Sequence, residues 1–87
     1  MNEVNIQLAI TLDEALELGA KLDINWGEYS LFEFLQGYGV ELEHGTKFPR
    51  WNVTNNDPIM TAKIVMAHLE ELPDYYTRLH KMENDLL

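Results

Sequence analysis

The sequence contains no cysteine and few basic residues, and each absence excludes a class of site. Without cysteine, the 87-residue chain forms neither a disulfide nor a thiolate metal site, so a metal ion would need histidine and carboxylate ligands. Six lysines and arginines stand against fifteen aspartates and glutamates, which gives a net charge of −9. Because contacts to nucleic-acid phosphates need clustered lysine and arginine, we expect no direct binding of nucleic acid.

The sequence also lacks a long apolar run and a basic N-terminal region. These features would indicate a membrane span and a signal peptide, so we expect a cytoplasmic protein without membrane contact. Hydrophobic residues make up 46% of the chain, which is typical of a folded domain and not of a disordered acidic tail. Residues 1–87 are therefore predicted to form a single small helical domain.

The acidic residues are concentrated in the first half of the chain. Residues 1–45 contain nine aspartates and glutamates but one lysine, whereas residues 46–87 contain six acidic and five basic residues. This asymmetry predicts a non-enzymatic interaction protein whose acidic half contacts a basic partner, or imitates a phosphate backbone toward a nucleic-acid-binding protein. The candidate contact residues are Asp13, Glu17, Glu28 and Glu33. The alternative is that the excess charge only keeps a small domain soluble.

Helical patterns predict an all-α fold, a compact bundle of about four helices. Each predicted helix begins at a residue that can accept a hydrogen bond from the free N–H groups of the first turn. The predicted N-caps are Thr11, Ser30, Asp57 and Asp74. Glu14 and Glu33 follow the first two caps at the spacing of a capping box. The third helix, residues 59–72, is apolar nearly all round and is predicted to be the buried centre of the domain.

Apolar residues at helical spacing predict which side of each helix faces the core. In the first helix the predicted buried stripe is Leu12, Ala15, Leu16, Gly19 and Leu22, and in the last helix it is Tyr75, Leu79, Met82 and Leu86. The second helix contains Gly37 and Gly39, which weaken it. These glycines either let another helix approach closely or mark an early end of the second helix.

Two segments do not fit the helical pattern. Residues 4–10 alternate in polarity, which predicts a short strand that could pair with residues 51–54 or with a second protomer in a homodimer, or an extended arm across the helices. Residues 45–57 form a long irregular loop, and loops of this length are often functional. The alternative for this loop is a structural one, in which Phe48, Trp51 and Val53 anchor it over the helices.

Histidine and glutamate recur at a spacing of three residues. Glu41 precedes His44, and His68 precedes Glu71, so the members of each pair can share a helix face. If the pairs converge, the four side chains would suit Zn, Mn or Fe(II) and allow hydrolytic or redox chemistry. The alternative is a buried hydrogen-bond network without an ion. A helical wheel places His68 inside, with Glu41 as its expected partner, and His44 joins only if the second helix bends or ends at its glycines.

Four segments carry a family resemblance. They are residues 11–15 (TLDEA), 40–46 (VELEHGT), 52–58 (NVTNNDP) and 67–79 (AHLEELPDYYTRL). The pattern, which extends over residues 11–83, resembles an uncharacterised family of small bacterial and phage-associated proteins. The resemblance implies a host-interaction or accessory protein and carries no activity, cofactor or catalytic residue with it. Residues 1–10 and 47–51 fit the family pattern least well.

Overall fold

The computed structural model describes residues 8–86 and confirms the all-α fold. Four helices follow one another along the chain: α1 (Leu12–Lys21), α2 (Leu31–Glu41), α3 (Pro58–Glu71) and α4 (Tyr75–Asp85). Two 3₁₀ turns lie between α2 and α3, at Leu42–His44 and Pro49–Trp51. None of the helices in the described segment is long and apolar enough to cross a membrane.

The predicted N-terminal strand or arm falls mostly outside the described residues. Residues 4–7 are not described, and residues 8–10 lead into α1 without forming a strand. Ile10 is buried in the core, so the chain already contacts the bundle just before α1 begins.

Hydrogen bonds at the helix starts confirm three of the four predicted N-caps. Thr11 and Glu14 form a complete capping box, in which each N–H donates to the side chain of the other residue. Ser30 and Asp57 each accept a hydrogen bond from the backbone N–H of the third residue of their helix. Asp74 occupies the N-cap position of α4 as predicted, but its carboxylate pairs with an arginine one turn along α4 and caps no N–H group.

The central helix of the bundle is α2 and not α3. α2 contacts each of the other three helices, and it contributes Phe34 and Tyr38 to the buried core. α3 buries Ala62, Val65 and Leu69 but leaves its opposite side exposed. The prediction that α3 is the buried centre is therefore wrong. The other helices of a bundle of four short helices are too few to surround α3 completely. Its apolar surface is therefore larger than the area that α1 and α2 cover.

The side of α1 that faces the core agrees with the predicted stripe at Ala15 and Gly19, and Leu22 packs partly buried against the core, but the stripe is wrong at two leucines. The buried residues of α1 are Ala15, Leu18 and Gly19. Leu12 and Leu16 are exposed instead. The ring of Trp26 packs directly on Gly19, where an added Cβ would lie 2.6 Å from a ring carbon. This close contact needs the small-residue side of α1 to face inward, and it leaves the two leucines outside.

The buried residue of α4 is Tyr76, which was not in the predicted stripe. Tyr76 is fully buried. Of the predicted stripe, Tyr75 and Leu79 pack partly buried against the core, whereas Met82 and Leu86 are exposed. Its ring lies directly on Gly37 of α2, and an added Cβ at that glycine would overlap the ring. Gly37 thus permits a close approach of two helices. At Gly39, by contrast, the nearest atom to an added Cβ is at an ordinary contact distance of 3.7 Å.

The loop of residues 45–57 is held by polar groups and not by its apolar residues. Asn56 accepts a hydrogen bond from the Thr46 N–H and donates one to the Thr46 hydroxyl, at 3.0 and 2.8 Å. The Val53 N–H donates to the His44 carbonyl at 2.7 Å. The three predicted anchors are all exposed: Phe48, Trp51 and Val53. The anchoring prediction is therefore wrong, because the polar network fixes the backbone and leaves these side chains outside.

Candidate functional site

The end of α2 places Glu41 inside the bundle and His44 beside it. Glu41 is the last residue of α2, and it is buried. The chain then tightens into the 3₁₀ turn Leu42–His44, so α2 ends shortly after its glycines. This turn brings His44 alongside the carboxylate, with His44 Nε2 at 3.4 Å from Glu41 Oε1.

α3 and α4 supply the other contacts of the Glu41 carboxylate. The Tyr76 hydroxyl donates a hydrogen bond of 2.6 Å to Glu41 Oε2. His68 Nε2 lies 3.6 Å from the same oxygen. Both imidazole distances exceed the range of about 2.7–3.2 Å that is usual for an N–H···O hydrogen bond. The structure therefore brings Glu41, His44 and His68 together, and the hydrogen bond to the carboxylate comes from Tyr76.

Aromatic contacts fix the position of His68. Its ring stacks on the ring of Tyr75, with centroids 4.2 Å apart and planes inclined by 12°. Tyr76 meets the imidazole edge-on, at 6.1 Å and 88°. The His68 side chain remains 35% exposed, which is less buried than the helical wheel predicts. The reason is that α4 covers one side of the ring and leaves the other side open to solvent.

The Tyr76 hydroxyl is held in its protonated form. Burial raises the pKa of Tyr76, and the hydrogen bond and negative charge of Glu41 raise it further. The tyrosine therefore remains a hydrogen-bond donor at neutral pH, and the carboxylate keeps its partner. Chemically, the cluster is one buried carboxylate with a strong neutral donor and two imidazoles that solvent can reach.

The fourth predicted metal ligand, Glu71, is not part of this cluster. It lies in the last turn of α3 and is exposed. The neighbouring position beside His68 is occupied by Tyr75, which stacks on the imidazole. Within residues 8–86, no group of three or more histidine, aspartate or glutamate side chains is arranged so that it could hold a metal ion.

Glu33, which was predicted to contact a partner, is buried and caps α4. It is 4% exposed. Its carboxylate accepts hydrogen bonds from the N–H groups of Tyr76 and Thr77, at 3.0 and 3.2 Å, and from the Thr77 hydroxyl. These are the second and third residues of α4, whose N–H groups have no partner within the helix. Glu33 thus performs the capping role predicted for Asp74, and it is not available to a partner.

The other three predicted contact residues are exposed: Asp13, Glu17 and Glu28. The first two belong to the outer face of α1, which consists of the exposed residues Leu12, Asp13, Leu16, Glu17 and Ala20. Their spacing places them on one continuous side of the helix. The two leucines of this face are 50% and 41% exposed. The outer face therefore combines apolar area with negative charge.

Sequence reasoning missed Tyr76 and the capping role of Glu33. Both residues act across helices, and their partners are 35 to 44 residues away along the chain. Local patterns carry no signal at that separation. The pair Tyr75 and Tyr76 at the start of α4 was one available signal. Two neighbouring residues on a helix point in different directions, so only one of these tyrosines can point to the centre of the core.

Comparison with known proteins finds one family. The sequence model of a protein of unknown function (DUF5661) matches residues 15–85. The matched region includes Glu41, His44, His68 and Tyr76, and it begins within α1, after Asp13. No curated protein and no solved structure matches the chain.

Proposed function

The chain belongs to DUF5661, a family of proteins of unknown function, and from its own surface we propose that it is a small acidic interaction protein. Its partner in this proposal is a protein with a basic surface, such as a nucleic-acid-binding protein. The bacterial and phage association implied by the sequence motifs makes an accessory role toward a host protein part of the proposal. No catalytic step is assigned to the chain.

The observation that carries the proposal is the outer face of α1. Leu12 and Leu16 are exposed one turn apart, and Asp13 and Glu17 follow them at the same spacing. Apolar side chains at the centre of an interface provide most of the binding free energy, whereas charges select the partner and accelerate association. A partner with both basic and apolar side chains would complement the acidic side chains and the leucines of this face.

Little within the described part of the chain neutralises this face. Lys21 Nζ lies 3.9 Å from Glu17 Oε1, but both side chains are more than 60% exposed. Such surface ion pairs contribute little free energy, so a basic partner can displace the lysine at small cost. Glu28 is a further exposed acid on the connector between α1 and α2, and it extends the negative surface.

Binding of a labelled amphipathic peptide of lysine and leucine, followed by fluorescence anisotropy, tests this proposal. Replacing Asp13 and Glu17 by Asn and Gln should weaken binding by at least about tenfold. The matched control replaces Glu70 and Glu83, two exposed acids in the second half of the chain, by Gln. Equal losses in both variants would show that net charge alone attracts the peptide, and the proposal would then fail.

A second candidate function is the binding of a divalent metal, Zn, Mn or Fe, with hydrolytic or redox chemistry. The observation that favours it is that the Nε2 atoms of His44 and His68 lie 3.4 and 3.6 Å from different oxygens of Glu41. As they stand these three side chains are not arranged to hold an ion, so binding requires them to rotate around it. Metal analysis of protein purified without chelator tests it, with His68→Ala as the comparison. Near-stoichiometric metal that is lost in this variant would support the candidate, and metal-free protein would rule against it.

A further inference from the structure

The segment of residues 47–53, here called the aromatic loop, exposes apolar side chains beside positive charge. Phe48, Trp51 and Val53 are 49%, 66% and 66% exposed. Lys47 Nζ lies 5.4 Å from the centre of the Phe48 ring, and Arg50 Cζ lies 4.8 Å from the centre of the Trp51 ring. Each ring therefore has a cation beside it. Lys47 Nζ also lies 3.6 Å from Glu43 Oε1, in an exposed ion pair that a partner can displace at small cost. The loop contains two of the six basic residues of the chain.

The backbone around the aromatic loop is fixed before any partner binds. Asn55 and Asn56 adopt left-handed φ angles of 53° and 62°, which asparagine tolerates better than most residues. The Asn55 N–H donates to the Asn52 side chain at 2.7 Å, and the buried Thr54 accepts from the Asn56 N–H at 3.2 Å. Because the backbone is already ordered, binding through this loop costs less conformational entropy than binding through a flexible one.

The exposed aromatic side chains take no part in the hydrogen bonds that hold the loop backbone, which are made by backbone, asparagine and threonine groups. Tryptophan and arginine are enriched among residues that dominate interface free energies. A fixed loop that presents both has the composition of a binding surface.

Local charge decides which occupant fits. Every copy of the chain has a net charge of −9, so two copies repel each other at long range, and their association must come from contact between two complementary surfaces. The outer face of α1 matches the loop in both components: Asp13 and Glu17 complement Lys47 and Arg50, and its exposed leucines complement the exposed rings. A second copy of the chain supplies this face at the same concentration as the loop.

We propose that the aromatic loop of one copy packs on the outer face of α1 of a second copy, so that the chain self-associates. This inference rests on the proposed function, because it assigns a partner to the same acidic face. If two copies each place their aromatic loop on the α1 face of the other, a closed dimer forms. If only one loop of each pair makes this contact, further copies can add and extend a chain. Both arrangements raise the mass in solution.

Charge-swapped variants test the self-association by sedimentation velocity at about 0.15 M salt, which screens the net repulsion between copies, and at up to about 1 mM protein. One variant carries Asp13→Lys and Glu17→Lys, and the other carries Lys47→Glu and Arg50→Glu. Wild-type protein should associate, and each variant alone should associate at least about tenfold more weakly. An equimolar mixture should recover association, because each variant then meets its opposite charge. A monomeric wild type, or variants that associate as the wild type does, would overturn the inference.

Trp51→Ala separates this inference from the proposed function. The substitution leaves α1 unchanged, so it should weaken self-association at least about tenfold and leave binding of the lysine and leucine peptide within about twofold. A wild type that binds the peptide but remains monomeric overturns the self-association alone. A wild-type protein that neither binds the peptide nor self-associates overturns both the proposed function and the self-association. Unchanged self-association in Trp51→Ala overturns the assignment of the loop.

Discussion

At the scale of single residues, Glu41 joins three parts of the bundle. Its carboxylate lies at the end of α2, accepts a hydrogen bond from Tyr76 of α4 and faces His68 of α3. Burying a carboxylate without a hydrogen-bond donor costs free energy, and the hydrogen bond from the Tyr76 hydroxyl reduces this cost for Glu41. The cluster thus stabilises the fold whether or not it also binds an ion.

Tyr76→Phe should lower the free energy of unfolding by about 1–3 kcal/mol, because it leaves Glu41 Oε2 without its donor in a buried site. Urea denaturation measures the change. The matched control is Tyr75→Phe, which keeps the ring that stacks on His68 and should stay within about 0.5 kcal/mol of the wild type. Equal effects of the two substitutions would contradict the assigned role of the Tyr76 hydroxyl.

Alkaline pH should reveal the same hydrogen bond. The pKa of Tyr76 is raised above its ordinary value of 10 by burial and by Glu41. Below pH 10, Tyr76 is protonated in both the folded and the unfolded state, so its hydrogen bond makes its full contribution to the free energy of unfolding. As pH rises above 10, the unfolded tyrosine loses its proton while the folded one keeps it, and stability falls. Urea midpoints between about pH 9 and pH 11 should therefore fall more steeply in the wild type than in Tyr76→Phe.

The sequence indicated part of this cluster. A spacing of three residues suggested that Glu41 and His44 share a side, and the helical wheel directed His68 toward Glu41. The pair Tyr75 and Tyr76 indicated that one of the two tyrosines faces the core, but which one does so, and the separation of Glu71, depend on how α4 packs against α2. That packing follows from the close contact of Tyr76 with Gly37, which no local pattern specifies.

At the scale of helices, α4 begins with a cap that belongs to α2. Glu33 accepts hydrogen bonds from the N–H groups of Tyr76 and Thr77, which couples the start of α4 to the first turn of α2. The positive end of the α4 helix dipole also stabilises a negatively charged carboxylate at this position. α4 therefore depends on α2 for its first turn.

Glu33→Ala should loosen the start of α4 in particular. Loss of a helix cap costs about 0.5–2 kcal/mol, which corresponds to amide exchange at Tyr76 and Thr77 that is about 2 to 30 times faster. Hydrogen exchange followed by NMR measures this. Glu28→Ala, at an exposed position of similar charge, is the control and should leave these amides unchanged. Unaltered exchange at both amides in Glu33→Ala would remove the capping role.

The two glycines of α2 should respond oppositely to alanine. Gly37→Ala inserts a Cβ into the buried Tyr76 ring and should cost about 1–3 kcal/mol. Gly39→Ala has room, with Ala9 Cβ at 3.7 Å, and should stabilise α2 by up to about 1 kcal/mol. Denaturant midpoints of the two variants test this, and shifts of the same sign would contradict the proposed packing of α2 against α4.

Helix starts were predictable where the cap is local, and core-facing sides were not. Thr11, Ser30 and Asp57 lie three residues before the N–H that each one caps, so the sequence contains the whole signal. For α1, hydrophobicity favoured Leu12 and Leu16 as core residues. The structure instead buries Ala15, Leu18 and Gly19, because the Trp26 ring packs directly on Gly19.

At the scale of the whole molecule, two surfaces of opposite charge result from one uneven sequence. The first half supplies the outer face of α1, and the second half supplies the aromatic loop. The charge asymmetry was readable from composition alone. Which acids are accessible was not, because burial removed Glu33 from the surface and left Asp13, Glu17 and Glu28 on it.

The most direct test of the account is an NMR titration of the labelled protein with a basic amphipathic peptide of lysine and leucine. We expect the largest amide shifts within residues 12–20, and we expect added salt to reduce them because it screens Asp13 and Glu17. The same titration of a variant with Asp13→Asn and Glu17→Gln should lose these shifts. Shifts confined to other helices, or α1 shifts that persist in the variant, would contradict the claim that the outer face of α1 binds a basic partner.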